Sequence, residues 1–150
     1  MYEIDHIAAV VEDLDSAVEG FVGATGAEHV WTKTTEEWGY RTAYLLAGSD
    51  MFTLIEPISE ESFIADYLEH RGPGFHHIGV NVKDLDATVE AMTAVGGEVI
   101  MEDTIPGVRD EATLHPKSWF GLQVQLIEWH DDVGPSARDH IEAIREQDAE

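Results

Sequence analysis

The chain has 150 residues, 43% apolar and 26% charged, long enough to bury a core and too short for more than one or two small modules. It contains no cysteine, which excludes a disulfide framework, a thiolate metal site and a cysteine nucleophile. With 31 acidic against 8 basic residues the formal charge is -23, a surface that repels phosphate backbones and disfavours nucleic-acid binding.

No apolar run approaches the roughly 18 residues of a membrane span, and the first residues, Met1-Tyr2-Glu3-Ile4-Asp5, lack the features of a signal peptide. The expected setting is cytoplasmic, with no membrane partner. The acids divide 10, 9 and 12 among successive thirds, and only Lys33, Lys83 and Lys117 are lysines. Even carboxylate coverage suits a salt-adapted, halophile-type cytosol, where the Debye length falls to about 3 Å.

Taken in chain order, Ile4–Val11 is a short branched-rich strand that runs into Asp13-Leu14-Asp15, a helix cap. A helix over Asp15–Ala24 stops near Gly26. Three extended stretches follow, Glu28–Thr34, Tyr40–Ala47 and Met51–Glu56. Glu60–Glu69 reads as a linker helix broken by Gly72-Pro73-Gly74. The series then repeats: strand Phe75–Val82, helix Asp86–Val95, and strands Val99–Asp103, Glu111–His115 and Leu122–Trp129. Ser136–Glu146 reads as an amphipathic tail helix presenting Ile141 and Ile144.

The repetition is visible residue by residue. His6-Ile-Ala-Ala-Val-Val-Glu-Asp-Leu-Asp recurs as His77-Ile-Gly-Val-Asn-Val-Lys-Asp-Leu-Asp at an offset of 71, and Phe52–Glu56 answers Val124–Glu128 at 72. The predicted fold class is α+β: tandem βαβββ modules forming two curled mixed sheets around one cleft. The expected organisation is a single domain of two modules, about 1–58 and 75–130, with a linker helix within 59–74 and a C-terminal helix over 135–147.

Ile4-Asp5-His6-Ile7, the Glu56-Pro57-Ile58 strand exit, Arg71-Gly72-Pro73-Gly74-Phe75-His76-His77-Ile78 and His115-Pro116-Lys117-Ser118 together resemble the vicinal oxygen chelate superfamily of glyoxalases, dioxygenases and bleomycin-resistance proteins. Within it, they are most similar to methylmalonyl-CoA epimerases. A histidine at equivalent places in both first strands could share one divalent ion, and imidazole suits cobalt, zinc, nickel, manganese or iron. The resemblance implies the same two ligands, plus one from the last strand of each module, which fall on Thr53 and Gln125. The expected metal site is therefore His6, His77 and Gln125, with water at the Thr53 corner. A register shifted by three would instead offer Glu56 and Glu128, which strand alternation places on the opposite face from Thr53 and Gln125. The bland alternatives are core histidines held by backbone, and glutamates that merely end strands.

In the resembled epimerases a third-strand glutamate and the last-strand ligand act as bases; Thr42 and Gln125 stand there. The expected function is a metal-dependent enzyme of the isomerase or lyase kind on a small carbonyl or acyl-CoA thioester substrate. A ring-cleaving or 2-oxo-acid-type dioxygenase is one alternative, and a non-catalytic binder of the bleomycin-resistance kind is another. Trp31, Trp38, Tyr40, Tyr44, Trp119 and Phe120 would suit such a binder's cleft. His115 is expected to fix a turn, and His29, His70, His130 and His140 to lie at the surface. A homodimer is expected from the resemblance.

The charge carries a direct consequence. Lowering potassium chloride from molar to millimolar should lower the melting temperature, because a -23 chain repels itself when unscreened; an unchanged or higher value would contradict salt adaptation.

Overall fold

The computed structural model describes residues 2–150. The class is α+β. The elements run β1 (Glu3–Val10), α1 (Leu14–Thr25), β2 (Glu28–Thr35), β3 (Tyr40–Ala47), β4 (Asp50–Pro57), α2 (Phe63–Arg71), β5 (Gly74–Asn81), α3 (Leu85–Ala94), β6 (Val99–Ile105), β7 (Arg109–Leu114), β8 (Val124–Trp129) and α4 (Ala137–Asp148). Among the described residues no helix is long and apolar enough to cross a membrane. Two compact units result: Ile7–His76, and His77–Glu150 together with the residues up to His6. The division cuts β1 between His6 and Ile7, so the first half of that strand belongs with the second half of the chain.

In the unit Ile7–His76 the strand order is β2-β3-β4-β1, with β2, β3 and β4 antiparallel. Alternation along β3 and β4 buries Ala43, Leu45 and Leu54 against Leu14 of α1, while Ile55 joins Ala8, Val10 and Ile64 of α2. In the other unit the order is β5-β8-β7-β6, mixed in sense: β5 and β8 are parallel, and β8, β7 and β6 antiparallel. Its apolar face sets Val82, Ala112, Leu114, Val124 and Leu126 against Leu85 of α3. The opposite face of the same strands carries His77, Gly79, Thr113 and Gln125, the polar set from which a site can be built.

Both repeats solve the helix-start problem in one way. A helix begins with amide groups that have no partner inside it. Asp13 accepts from Ser16 N at 3.0 Å, and Asp84 from Ala87 N at 2.9 Å. A second carboxylate then reaches in from the last strand: Glu56 Oε2 accepts from Leu14 N, and Glu128 Oε2 from Leu85 N at 2.7 Å. Negative charge at this end also opposes the helix dipole favourably. Glu56 is held in addition by Arg41 Nε at 3.2 Å. Glu56 and Glu128 are thus cap acceptors facing the helices. The shifted register that would have made them metal ligands is corrected, as is the view of them as plain strand ends.

The tail helix also departs from expectation in one residue. Ile141 and Ile144 are buried as the amphipathic pattern requires, but so is His140, expected at the surface and only 5% exposed. Its ring lies flat on Trp129, 3.9 Å between centroids. His130 is half-buried and bound to Asp110 at 2.9 Å, and His115 Nδ1 accepts from Lys117 N at 3.0 Å, fixing its turn.

Replacing Glu128 by Ala should cost about 1 kcal/mol of stability, with Glu128→Gln, which keeps an acceptor oxygen, losing less. Urea unfolding at molar salt measures both. A Glu128→Ala protein as stable as the parent would contradict the cap.

Candidate metal centre

His6 and His77 come together. His6 Nε2 lies 2.9 Å from His77 Nε2, with the ring centroids 5.1 Å apart and the planes nearly perpendicular. Two nitrogens bound to one ion at about 2.1 Å and a right angle stand roughly 3 Å apart, so the spacing fits neighbouring ligands of a single cation. Free of an ion, the same spacing is a hydrogen bond from one ring to the other.

Which ring donates follows from what lies behind them. His6 Nδ1 is 2.7 Å from Asp5 Oδ2, and a carboxylate only accepts, so His6 carries its proton on Nδ1. When His6 is neutral its Nε2 carries a lone pair and His77 is the donor of the bond between the rings. This tautomer of His6 is the one an imidazole takes when Nε2 binds a cation, and Asp5 holds the ring from behind.

Asp5 is itself over-determined. Its side chain is 1% exposed, Oδ1 accepts from Trp129 Nε1 at 2.9 Å, and His140 Nδ1 lies 3.1 Å from the same oxygen. Burial alone would raise the carboxyl pKa. Donors from His140 and His6 outweigh it and hold the group well below the ordinary carboxylate range, so it stays an anion. Trp129 Nε1 is shared with Asn81 Oδ1 at 3.0 Å, and the Arg109 guanidinium sits over the indole at 5.3 Å.

Close packing explains a further feature. A Cβ on Gly79 would overlap the His6 ring, so glycine on β5 makes the room in which that imidazole lies. Gly79 pairs in register with Gln125 of β8, which pairs onward with Thr113 of β7. Paired residues share a face, so Gln125 stands on the side of the sheet that carries His77. Among the described residues no group of three or more His, Asp or Glu is arranged to hold an ion. Glu111, also buried on that face, is bound to Arg109 at 2.9 Å.

Two further expected positions, Thr42 and Thr53, lie in the unit Ile7–His76. Thr42 and Thr53 are buried on β3 and β4, Thr53 opposite Tyr44. His76 occupies the repeat position of Asp5, packs its ring on Tyr67 at 4.7 Å, and is pushed down to about 4 by burial and then by the Arg71 charge. The aromatic residues are largely used in packing: Trp31 stacks on Tyr44, Trp38 and Tyr40 abut Phe63, and Trp119 packs on the core. Phe120 is 88% exposed and takes a positive φ of 56°. Sequence reasoning quoted Asp5 only as part of a motif and missed Gly79, Trp129 and His140. The signal available was the break in the repeat, Asp5 against His76 beside two matched histidines.

Residues 5–116 match the Glyoxalase/Bleomycin resistance protein/Dioxygenase superfamily. The ethylmalonyl-CoA/methylmalonyl-CoA epimerase of Cereibacter sphaeroides is 28% identical over 127 residues, covering 82% of this chain and 95% of that one. A probable lactoylglutathione lyase of Vibrio cholerae is 28% identical over 130 residues, 85% of this chain and 91% of that one. Among solved structures, a variant of the Streptomyces coelicolor methylmalonyl-CoA epimerase in complex with 2-nitronate-propionyl-CoA superposes with a TM-score of 0.74 at 31% identity, covering 83% of this chain and 95% of that one.

Gly79→Ala should destabilise the fold by about 1–3 kcal/mol by displacing the His6 ring, and most of that penalty should vanish in a His6→Ala background. A double-mutant cycle of unfolding free energies measures the coupling; equal costs in both backgrounds would mean that the ring and the glycine are not in contact.

Proposed function

The chain belongs to the glyoxalase/bleomycin resistance protein/dioxygenase superfamily, and from that premise we propose that it is a metal-dependent enzyme of the isomerase or lyase kind acting on a small carbonyl or acyl-CoA thioester substrate. The observation that supports this best is the 2.9 Å approach of the His6 and His77 Nε2 atoms, with Asp5 fixing the tautomer of His6. His6 Nε2, His77 Nε2 and the side-chain oxygen of Gln125 would hold the divalent ion. Such an ion, when bound, polarises a substrate carbonyl and lowers the cost of removing a proton from the neighbouring carbon.

The residues of the chain divide the remaining work. Asp5 keeps His6 from turning, and the partly buried Trp129 and the buried His140 shield that carboxylate from water. Gln125 contributes a neutral oxygen, so the site bears less negative charge than one closed by a glutamate. Thr42 and Gln125 occupy the positions at which the resembled epimerases carry their bases, and neither side chain accepts a proton from carbon at neutral pH. Losing a positioned base costs about 10²- to 10⁴-fold. Brisk epimerisation of methylmalonyl-CoA is therefore not expected of this chain. The thioester class is supported by the names of the relatives, an acyl-CoA epimerase and an epimerase complexed with a propionyl-CoA analogue.

The test has two arms. Protein purified without chelator or an affinity-tag metal should contain about one divalent ion per chain, lost in His77→Ala. At molar salt with cobalt or manganese, α-proton exchange of methylmalonyl-CoA in heavy water should be detectable, far slower than about 10 per second, and absent in His77→Ala. Exchange at or above that rate would mean another carboxylate serves as base. No bound metal and no exchange with any thioester or 2-oxo acid, alongside tight binding of an aromatic ligand, would overturn the enzyme assignment in favour of a binding protein.

A further inference from the structure

One side chain of the last helix ends on the carboxylate behind His6. α4 opens with a capping box, Asp139 N donating to Ser136 Oγ at 3.1 Å and Ser136 N to Asp139 Oδ2 at 3.0 Å. Ile141 and Ile144 anchor it. On the same buried face His140 stacks on Trp129, 15° from parallel, and places Nδ1 3.1 Å from Asp5 Oδ1. Packing would need only the ring. The histidine adds a donor, because Asp5 can only accept and His140 Nδ1 must carry the proton. Asp5 Oδ1 thus receives His140 and Trp129, and Oδ2 receives His6. The carboxylate cannot rotate about its Cβ–Cγ bond without breaking all three bonds.

We propose that His140 is a positioning residue for His6, acting through Asp5, so that the C-terminal helix locks the imidazole expected to hold the metal. This rests on the metal role proposed above. The family match ends at residue 116 and α4 begins at Ala137, so the lock comes from a segment outside it. The repeat supports the assignment from within the chain. Asp5 and His76 occupy equivalent places, and each meets a side chain of the helix after a last strand: His140 of α4 in one unit, Tyr67 of α2 in the other. Only the pair that includes His140 joins a donor to a carboxylate backing a second histidine.

Two substitutions separate ring from donor. His140→Phe keeps a stacked ring and removes the N–H; His140→Asn removes the ring and offers an amide N–H near the place of Nδ1. Titration with cobalt(II), followed by calorimetry and by the visible absorption of the bound ion, should show His140→Phe weakened about tenfold or more with altered bands. His140→Asn should bind close to wild type. Thermal melts of the metal-free proteins confirm folding, and His140→Leu replaces His140→Phe where the latter does not fold. Wild-type binding left unchanged by His140→Phe would overturn the positioning role alone, as would equal losses in Phe and Asn variants. Failure of the wild-type protein to bind cobalt would remove the metal role, and this one with it.

Discussion

The structure around the two histidines depends on one buried anion. Asp5 sits beneath His6 with its side chain almost wholly out of water, where an unpaired carboxylate would cost several kcal/mol. Three N–H donors, from His6, Trp129 and His140, make its burial tolerable. Each of those donors is thereby fixed as well. His6 is left with its Nε2 turned to His77, Trp129 is drawn across from the end of β8, and α4 is tied to the first strand of the chain.

The same economy recurs at the helix starts. Glu56 and Glu128 lie at the ends of equivalent strands and accept from the first amides of α1 and α3. Carboxylates that look superfluous in a chain of charge -23 are therefore in part structural, satisfying backbone donors at the helix starts. Asp5 and Glu111 are likewise buried acids held by partners, Asp5 by His6, Trp129 and His140 and Glu111 by Arg109, so the negative charge of this chain is not confined to its surface.

Much of this was legible in the sequence, for reasons that differ by feature. Strands and helices followed from branched runs, Asp-Leu-Asp caps and glycine stops, and Tyr40–Ala47 forms a strand over the very residues expected. The doubling of His6 as His77 pointed to the pair because repeat symmetry converts a lone histidine into two related ones. Asp5, Trp129 and His140 were not legible as a group, since 124 and 135 residues separate the last two from the first and no periodicity links them. His140 looked like one more polar residue on an amphipathic helix. Gly79 was hidden for a different reason: its role is the space it leaves for another ring. Glu56 and Glu128 were ambiguous because strand alternation says which side a carboxylate faces and is silent on what waits there.

The central claim is that His6 and His77 bind one ion together. X-ray absorption at the cobalt edge of protein loaded with one equivalent of cobalt(II) addresses it directly, because imidazole rings give a distinctive multiple-scattering pattern. Two imidazole nitrogens per cobalt at about 2.1 Å, falling to one in His77→Ala, is the result this account predicts. An oxygen-only shell, or a spectrum that His77→Ala leaves unchanged, would contradict it.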